Sequence, residues 1–183
     1  ANEKNIPVIL DPVGVGASDF RKESIKKILD NVKPSVIKGN VAEIKTLAGL
    51  SIKKNKCVDS AEFLEEYDKE AFKKLALELK TVIAVTGKHD FITDGNRCCE
   101  IKRGSKMMTG ISGSGCMTSS IIGSFCAVEK DCFLGALYGI FTMNVCAEKA
   151  EKMLCKNEGA GMFKVRLFDC IYNFYNDNDF SEE

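Results

Sequence analysis

The stretch Thr81-Val-Ile-Ala-Val85 decides the fold that this sequence predicts. It is a run of apolar and β-branched residues that is too short for a helix, as in a strand buried on both faces of a parallel sheet. Similar runs occur earlier, at Ile6-Pro-Val-Ile-Leu10 and Pro34-Ser-Val-Ile37. The stretches between these runs have the periodicity of amphipathic helices. Strands that alternate with helices predict an α/β fold with a mostly parallel sheet.

Capping residues and glycines mark the predicted helices. Ser18 or Asp19 is expected to cap the first helix, and Asn40 the second, which Gly49 ends. A longer amphipathic helix is expected over about residues 60–79. The remaining predicted elements are a hairpin over 90–101 with its turn at Asp94-Gly95, and helices that end near Val128, Leu154 and Tyr175.

Length and charge balance limit the class of protein. The 183 residues suffice for one domain with a substantial core, expected over 1–183 with a frayed acidic tail at 176–183. Lys and Arg together number 26, as do Asp and Glu, so no field of one sign attracts nucleic acid or anionic lipid. No apolar run approaches the ~18–20 residues that cross a bilayer. Nucleic-acid binding and membrane insertion are therefore not expected.

The cysteines indicate a reducing compartment. They number nine, and none has the CxxC or CxxH spacing of a zinc site. Several fall at apolar helical positions, among them Cys126 and Cys146, where a free thiol acts as a small hydrophobe. We therefore expect a cytoplasmic protein.

The segment Thr109-Gly-Ile-Ser-Gly-Ser-Gly-Cys-Met-Thr118 predicts a tight turn that opens a helix. Gly113 and Gly115 let the backbone curl, so that several N–H groups and the positive end of the helix dipole meet at one point. An anion, or an oxyanion that forms during a reaction, is stabilised at such a point. Cys116 lies at the same terminus, which favours the thiolate and makes it a candidate base. The alternative is a glycine-rich helix entry with a buried structural cysteine.

Three polar side chains follow the three predicted strands: Asp11, Lys38 and Thr86. Ligands bind where the carboxyl ends of parallel strands open into loops, so we expect these residues along one edge with the cysteine turn. Asp11 can hold a hydrated Mg²⁺ through oxygen ligands, or it can simply form a turn before Pro12. Lys38 can meet a phosphate as a point charge. Thr86 and the amides after it suit phosphate oxygens, unless they only form a tight turn.

A second carboxylate, Glu43, lies three residues after Asn40. It can serve the same site or complete a capping box on the second helix. Each of these motifs is weak alone. Together, a metal-binding carboxylate, a cation and amides for phosphates and a thiol base describe phosphoryl transfer to a hydroxyl group.

Four motifs then resemble one family. Asp-Pro-Val-Gly-Val-Gly-Ala-Ser at 11–18, Ile-Lys-Gly-Asn-Val-Ala-Glu-Ile at 37–44, Val-Thr-Gly at 85–87 and Gly-Ser-Gly-Cys at 113–116 occur in this order. They are similar to motifs of the hydroxyethylthiazole kinases, a thiamine-pathway family of ribokinase-like kinases, and the similarity runs from residue 6 to about 174. The resemblance implies a three-layer sandwich around a mostly parallel sheet. Family members have a longer N-terminal part with early strands and thiazole-binding residues, so this chain is expected to represent the C-terminal portion of that domain, without those strands.

The resemblance implies ATP-dependent phosphorylation of the hydroxyl group of 4-methyl-5-(2-hydroxyethyl)thiazole. Cys116 would take the hydroxyl proton, and the 113–116 amides would stabilise charge on the transferring phosphoryl group. The backbone of Gly113 would border the substrate. The family also implies a homotrimer with its active sites at subunit interfaces.

The same resemblance implies ATP as co-substrate and Mg²⁺ as cofactor. Lys38 and Thr86 would contact the ATP phosphates, and Asp11 and Glu43 would act through Mg²⁺ and its waters. The family usually has Arg at the position of Lys38, so a bidentate phosphate contact becomes a single point charge here.

Two alternatives stay open. Kinases of this fold mostly carry Asp at the position of Cys116, and Cys is shared with hydroxymethylpyrimidine and some pyridoxal kinases. Those enzymes usually show Pro-Asn where this chain has Gly39-Asn40, which favours the thiazole family. The chain could still phosphorylate one of the other two alcohols, or it could be an inactive nucleotide-binding fragment.

Overall fold

The computed structural model describes residues 1–50 and 64–174. Within these ranges the strands are β1 (Ile9–Leu10), β2 (Val36–Asn40), β3 (Val82–Thr86), β4 (Asp90–Thr93) and β5 (Cys98–Ile101). The α-helices are α1 (Asp19–Asn31), α2 (Val41–Leu47), α3 (Glu66–Leu79), α4 (Ser114–Val128), α5 (Cys132–Lys152) and α6 (Ala160–Asn173). Short 3₁₀ turns occupy Asn2–Lys4 and Lys106–Gly110.

The strands form one sheet in the order β1-β2-β3-β4-β5. The first three strands are parallel, and Asn40 at the end of β2 lies opposite Thr86 at the end of β3. The β4–β5 hairpin adds two antiparallel strands, with Gly95 at φ +94° in its turn. Its backbone there favours glycine, as the Asp-Gly dipeptide predicts. The sheet thus brings the ends of β1, β2 and β3 to one edge.

Helices cover the sheet on both faces. Val82 and Ala84 of β3 belong to a buried cluster with α4 and α5, whereas Ile83 and Val85 belong to a cluster with α2 and α3. This alternation follows from the two-residue period of a strand. The result is the three-layer sandwich that the family resemblance implies.

Helix α5 packs very closely on α4. A Cβ atom on Gly139 would lie 2.7 Å from the Cα of Ile122, and one on Gly135 would lie 2.7 Å from the Sγ of Cys126. Only glycine allows this approach without displacement of backbone. The α4–α5 contact therefore fixes where the first turn of α4 lies above the sheet.

Two strand boundaries differ from the prediction. The expected strand over 6–10 is shortened to Ile9–Leu10, because β2 begins to pair only at Val36, and Ile6 is 53% exposed. The second strand continues beyond Ile37 to Asn40 because β3 offers pairing partners over that whole length. Both differences arise from tertiary pairing rather than from local propensity.

Two sequence predictions lie partly or wholly outside the described residues. Helix α3 begins at Glu66 in the described part, and positions 60–63 of the predicted helix fall outside it. The predicted tail at 176–183 lies outside it as well. Among the helices of the described ranges, none is both long enough and apolar enough to cross a membrane.

Candidate active site

A buried lysine joins two strands to the first turn of α4. Lys38 lies within β2 rather than after it, and it is only 4% exposed. Its Nζ donates to Oδ2 of Asp11 at 3.0 Å and to the carbonyl oxygen of Gly115 at 3.2 Å. The hydroxyl group of Ser119 lies 2.8 Å from the same Asp11 oxygen and 3.1 Å from the Gly115 carbonyl. We call Asp11, Lys38, Ser119 and the Gly115 carbonyl the polar ring.

The first turn of α4 is open on its outer side. Gly113 is the N-cap with φ +92°, and no side chain caps the helix. Its conformation favours glycine, and an added Cβ would meet no atom within 4 Å. On the inner side, a Cβ at Gly115 would lie 3.0 Å from the Nζ of Lys38. The two glycines thus have different roles. Gly113 adopts the backbone conformation of the turn, and Gly115 leaves space for the side chain of Lys38.

The thiol of Cys116 is exposed at the third position of α4. The preceding amides of the turn carry no capping side chain, so an anion that binds there meets bare N–H groups and the positive end of a 15-residue helix. An exposed thiol and uncapped N–H groups therefore share one turn. The geometry excludes the alternative of a buried structural cysteine.

Glu43 completes the capping box that the sequence offered as an alternative role. Its Oε2 accepts from the Asn40 amide at 2.8 Å, and the Asn40 side chain accepts from the Glu43 amide at 2.9 Å. Its other oxygen, Oε1, accepts from the amide of Gly14 at 2.8 Å, in the loop after β1. Gly14 has φ +66°, which suits glycine. The carboxylate thus joins the start of α2 to the loop that contains Asp11.

Thr86 is the last residue of β3, beside Asn40. Its hydroxyl is 3.4 Å from the carbonyl oxygen of Gly39, which is a long and weak hydrogen bond. The next amide, of Gly87, donates to Oδ1 of Asp90 at 3.0 Å. The hydroxyl group of Thr86 therefore remains available to another acceptor or donor. The backbone after it is fixed by the hydrogen bond from Gly87 to Asp90.

The predicted residues fall into two adjacent groups. Asp11 and Lys38 contact each other and the turn that contains Gly113 and Cys116. Glu43 contacts the loop after β1, and Thr86 lies beside the cap of α2. No hydrogen bond between described residues joins the Cys116 thiol to any of the other predicted side chains.

Sequence reasoning missed Ser119, Asp90 and Asn144. Ser119 follows Gly115 by one helical turn, and nothing in a helix of small residues marks it. Asp90 was predicted only as the first residue of a hairpin strand, yet it is 5% exposed and accepts from Nδ2 of Asn144 at 2.6 Å. Burial raises the pKa of Asp90 to about 6, although the bonds from Asn144 and Gly87 and the charges of His89 and Lys38 act in the opposite direction. The only feature of the sequence that could have indicated the role of Asp90 is its position as an acidic residue at the start of an otherwise apolar strand.

The two predicted metal-binding carboxylates fit a hydrated ion better than a direct chelate. Among the described residues, no three His, Cys, Asp or Glu side chains converge as a ligand set. Asp11 already accepts two bonds on one oxygen, and Glu43 accepts one backbone N–H on each. Carboxylate oxygens have further lone pairs, and Mg²⁺ usually keeps several waters that can fill them.

An open depression lies elsewhere, between the start of α1 and the end of α2. It is lined by residues that include Ser18, Lys22, Thr46 and Leu50, and by none of the six predicted site residues. The cysteine turn instead brings together an exposed thiol, uncapped N–H groups, a lysine and a carboxylate. The chemistry therefore locates the candidate site at the turn.

The fold defines the class of protein. A ribokinase-like superfamily protein of Enterococcus faecalis matches 90% of this chain and 52% of its own length, with a TM-score of 0.54 at 14% identity. At this identity the likeness shows the fold alone, which is the ribokinase-like α/β sandwich.

The family is shown by sequence. The model of the hydroxyethylthiazole kinase family matches residues 1–177. A hydroxyethylthiazole kinase of Alkaliphilus oremlandii is 44% identical over 178 residues, which cover 97% of this chain and 65% of that protein. The structure of a hydroxyethylthiazole kinase protein from Pyrococcus horikoshii matches with a TM-score of 0.77 at 31% identity, over 94% of this chain and 62% of its own. The chain belongs to the hydroxyethylthiazole kinase family, and it spans somewhat less than two thirds of the length of these relatives.

Proposed function

We propose that the protein transfers the γ-phosphoryl group of ATP to the hydroxyl group of 4-methyl-5-(2-hydroxyethyl)thiazole. Family membership supports this reaction, and one observation carries it. The polar ring brings Asp11 and Lys38 against the helix turn that holds an exposed Cys116. A cation, a carboxylate, bare amides and a thiol base are the groups that phosphoryl transfer to an alcohol requires.

Cys116 acts as the general base in this proposal. Its Sγ takes the proton of the substrate alcohol while the alcohol oxygen bonds to the γ-phosphorus and the bond to ADP breaks. The amides of the turn hold the negative charge of the transferring group, as oxyanion donors do. The bare backbone of Gly113 leaves room for the substrate beside this turn.

Lys38 and Thr86 hold the phosphates. The lysine ammonium has three N–H donors, and Asp11 and Gly115 accept two contacts from it, so one donor remains for a phosphate oxygen. The weakly bonded hydroxyl of Thr86 is available in the same way. Asp11 and Glu43 would hold a hydrated Mg²⁺, which supplies charge neutralisation of the phosphate oxygens when it is bound.

A kinase assay with three alcohols tests the reaction. We expect ADP production with the hydroxyethylthiazole and little with hydroxymethylpyrimidine or pyridoxal. Turnover of one of the latter two without turnover of the thiazole would assign the other specificity. Binding of Mg-ATP without turnover of any alcohol would support a nucleotide-binding fragment instead.

The assembly and location belong to the same proposal. We infer a homotrimer from the family resemblance, and light scattering at several protein concentrations tests it through the molar mass. The exposed thiols of Cys98, Cys116 and Cys155 form no disulfide, which suits a reducing cytoplasm. A stable monomer or a secreted, oxidised protein would contradict these two inferences.

A further inference from the structure

A buried acid–amide pair connects the turn after β3 to helix α5. The residues Asp90 and Asn144 are 5% and 6% exposed, and 2.6 Å separates Oδ2 of Asp90 from Nδ2 of Asn144. The other oxygen of Asp90 accepts the N–H of Gly87 at 3.0 Å. One carboxylate thus holds a turn with one oxygen and a helix with the other.

A purely structural role explains the burial of this carboxylate poorly. Burial of a carboxylate is costly, and two hydrogen bonds offset that cost only in part. A turn between antiparallel strands can form without a buried acid, since its amides can face water. The cost indicates that the conformation of this particular turn matters.

The helix end of the pair is rigidly placed. Asn144 lies on α5, whose Gly139 packs directly against the backbone of Ile122 in α4. The α4 helix in turn carries the cysteine turn. The pair therefore relates the backbone after Thr86 to the same two-helix unit that holds Cys116, over a sequence distance of 54 residues between Asp90 and Asn144.

We propose that Asp90 and Asn144 are positioning residues that hold the Thr86-Gly87 turn in the shape that receives an ATP phosphate. The pair touches neither substrate nor phosphate, and it acts through the backbone of Gly87. This inference rests on the proposed ATP-dependent function.

Single substitutions can break the hydrogen bonds of the pair, and swapping the two residue types between the two positions can restore them. Asp90→Ala removes the acceptor of Gly87, and Asn144→Ala removes the support of the carboxylate. The double variant Asp90→Asn with Asn144→Asp restores both bonds, because the new amide donates to the new carboxylate and its oxygen accepts from Gly87. Met143→Ala is the matched control, since this fully buried neighbour on α5 belongs to a cluster with α6 that includes no residue of the Thr86-Gly87 turn.

Two measurements on the full chain test the proposal. Calorimetric binding of Mg-ATP is expected to weaken about tenfold in each single variant, with a smaller change in kcat, and to recover within about threefold in the exchanged variant. Amide hydrogen exchange at Gly87, measured by NMR without nucleotide, is expected to quicken about tenfold in Asp90→Ala and to slow again in the exchanged variant. Met143→Ala is expected to lose stability without either effect.

The outcomes separate this inference from the proposed function. Faster exchange at Gly87 with unchanged Mg-ATP affinity would overturn the positioning role and leave a structural one. No Mg-ATP binding by the unaltered protein would overturn the proposed function, and the positioning role with it. If Asp90→Ala does not fold, Asn144→Leu replaces it, because leucine is close to asparagine in size and cannot donate to the carboxylate, and the exchanged variant still provides the rescue.

Discussion

Cys116 is the residue on which the proposed chemistry depends most directly. Its thiol is exposed at the start of α4, where no side chain caps the helix. We expect Cys116→Ala to lower kcat by about two to four orders of magnitude, the range for loss of a general base. Cys116→Asp is expected to restore part of the rate, because a carboxylate can also accept the proton. Steady-state kinetics at saturating thiazole alcohol measure both effects.

The matched control for this variant is Cys155→Ala. Cys155 is also an exposed cysteine, and it lies after the end of α5, outside the set of proposed site residues. Its replacement is expected to leave kcat unchanged. A nearly normal kcat in Cys116→Ala would remove the cysteine from the mechanism.

Substitution of Glu43 tests whether this capping residue also contributes to Mg²⁺ binding. Glu43→Gln keeps one acceptor oxygen, so either Asn40 or Gly14 loses its partner. We expect the free energy of unfolding to fall by about 1–2 kcal/mol, since a partly buried hydrogen bond to a charged group is lost. We also expect the Mg²⁺ concentration for half-maximal activity to rise several-fold, because the carboxylate charge is gone.

Urea unfolding and Mg²⁺ titration of the kinase reaction measure these two effects separately. The exposed Glu23→Gln is the control and is expected to change neither. Reduced stability with an unaltered Mg²⁺ requirement would leave Glu43 with its capping role alone.

At the scale of secondary-structure elements, the contact between α4 and α5 determines where the active-site turn lies. Gly139→Ala would place a Cβ 2.7 Å from a backbone atom of Ile122. The gain in helix propensity, about 1 kcal/mol, is smaller than the cost of separating the helices, about 1–3 kcal/mol. We expect a net loss of stability, with a lower thermal midpoint.

Gly161→Ala provides the matched control on α6. A Cβ at this position would meet no atom within 4 Å, and the residue lies in the first turn of a helix. We expect no loss of stability, and at most the small gain that the propensity scale gives. Equal thermal midpoints for the two alanine variants would contradict the close packing of α4 on α5.

Local sequence patterns predict most elements but not their partners. The run over Thr81–Val85, the Asp-Gly turn and the Asn40 cap have local causes, and the structure confirms them. The 4% exposure of Lys38 depends on the approach of Gly115, which lies 77 residues away along the chain. Asn144 cannot be paired with Asp90 from the sequence, because no local pattern relates α5 to the turn after β3.

At the scale of the whole molecule, Asp90 makes stability depend on pH in an unusual direction. Burial raises its pKa to about 6, above the ~3.9 of an unfolded chain. Between about pH 4 and pH 6 the folded state therefore binds more protons, so the contribution of this group falls as pH rises. The loss across this window is on the order of 3 kcal/mol.

Asp90→Asn removes this dependence. We expect the difference in unfolding free energy between the variant and the unaltered protein to shift in favour of the variant as pH rises from 4.5 to 6.5. Carboxylates with lowered pKa values, such as Glu148 and Asp94, lose stabilising interactions as pH falls, but they are present in both proteins and cancel. Urea unfolding at several pH values measures the difference, and parallel curves would contradict the raised pKa of Asp90.

The polar ring also decides how far the electric field of the site extends. Lys38 and Asp11 carry opposite charges 3.0 Å apart, and the chain as a whole has no net charge. Seen from several ångströms away, such a pair is a small dipole, whose potential decays faster with distance than that of a lone ion. We therefore expect no long-range steering of anions toward the turn. The site therefore distinguishes its ligand through short-range contacts, after the ligand has reached its surface by diffusion.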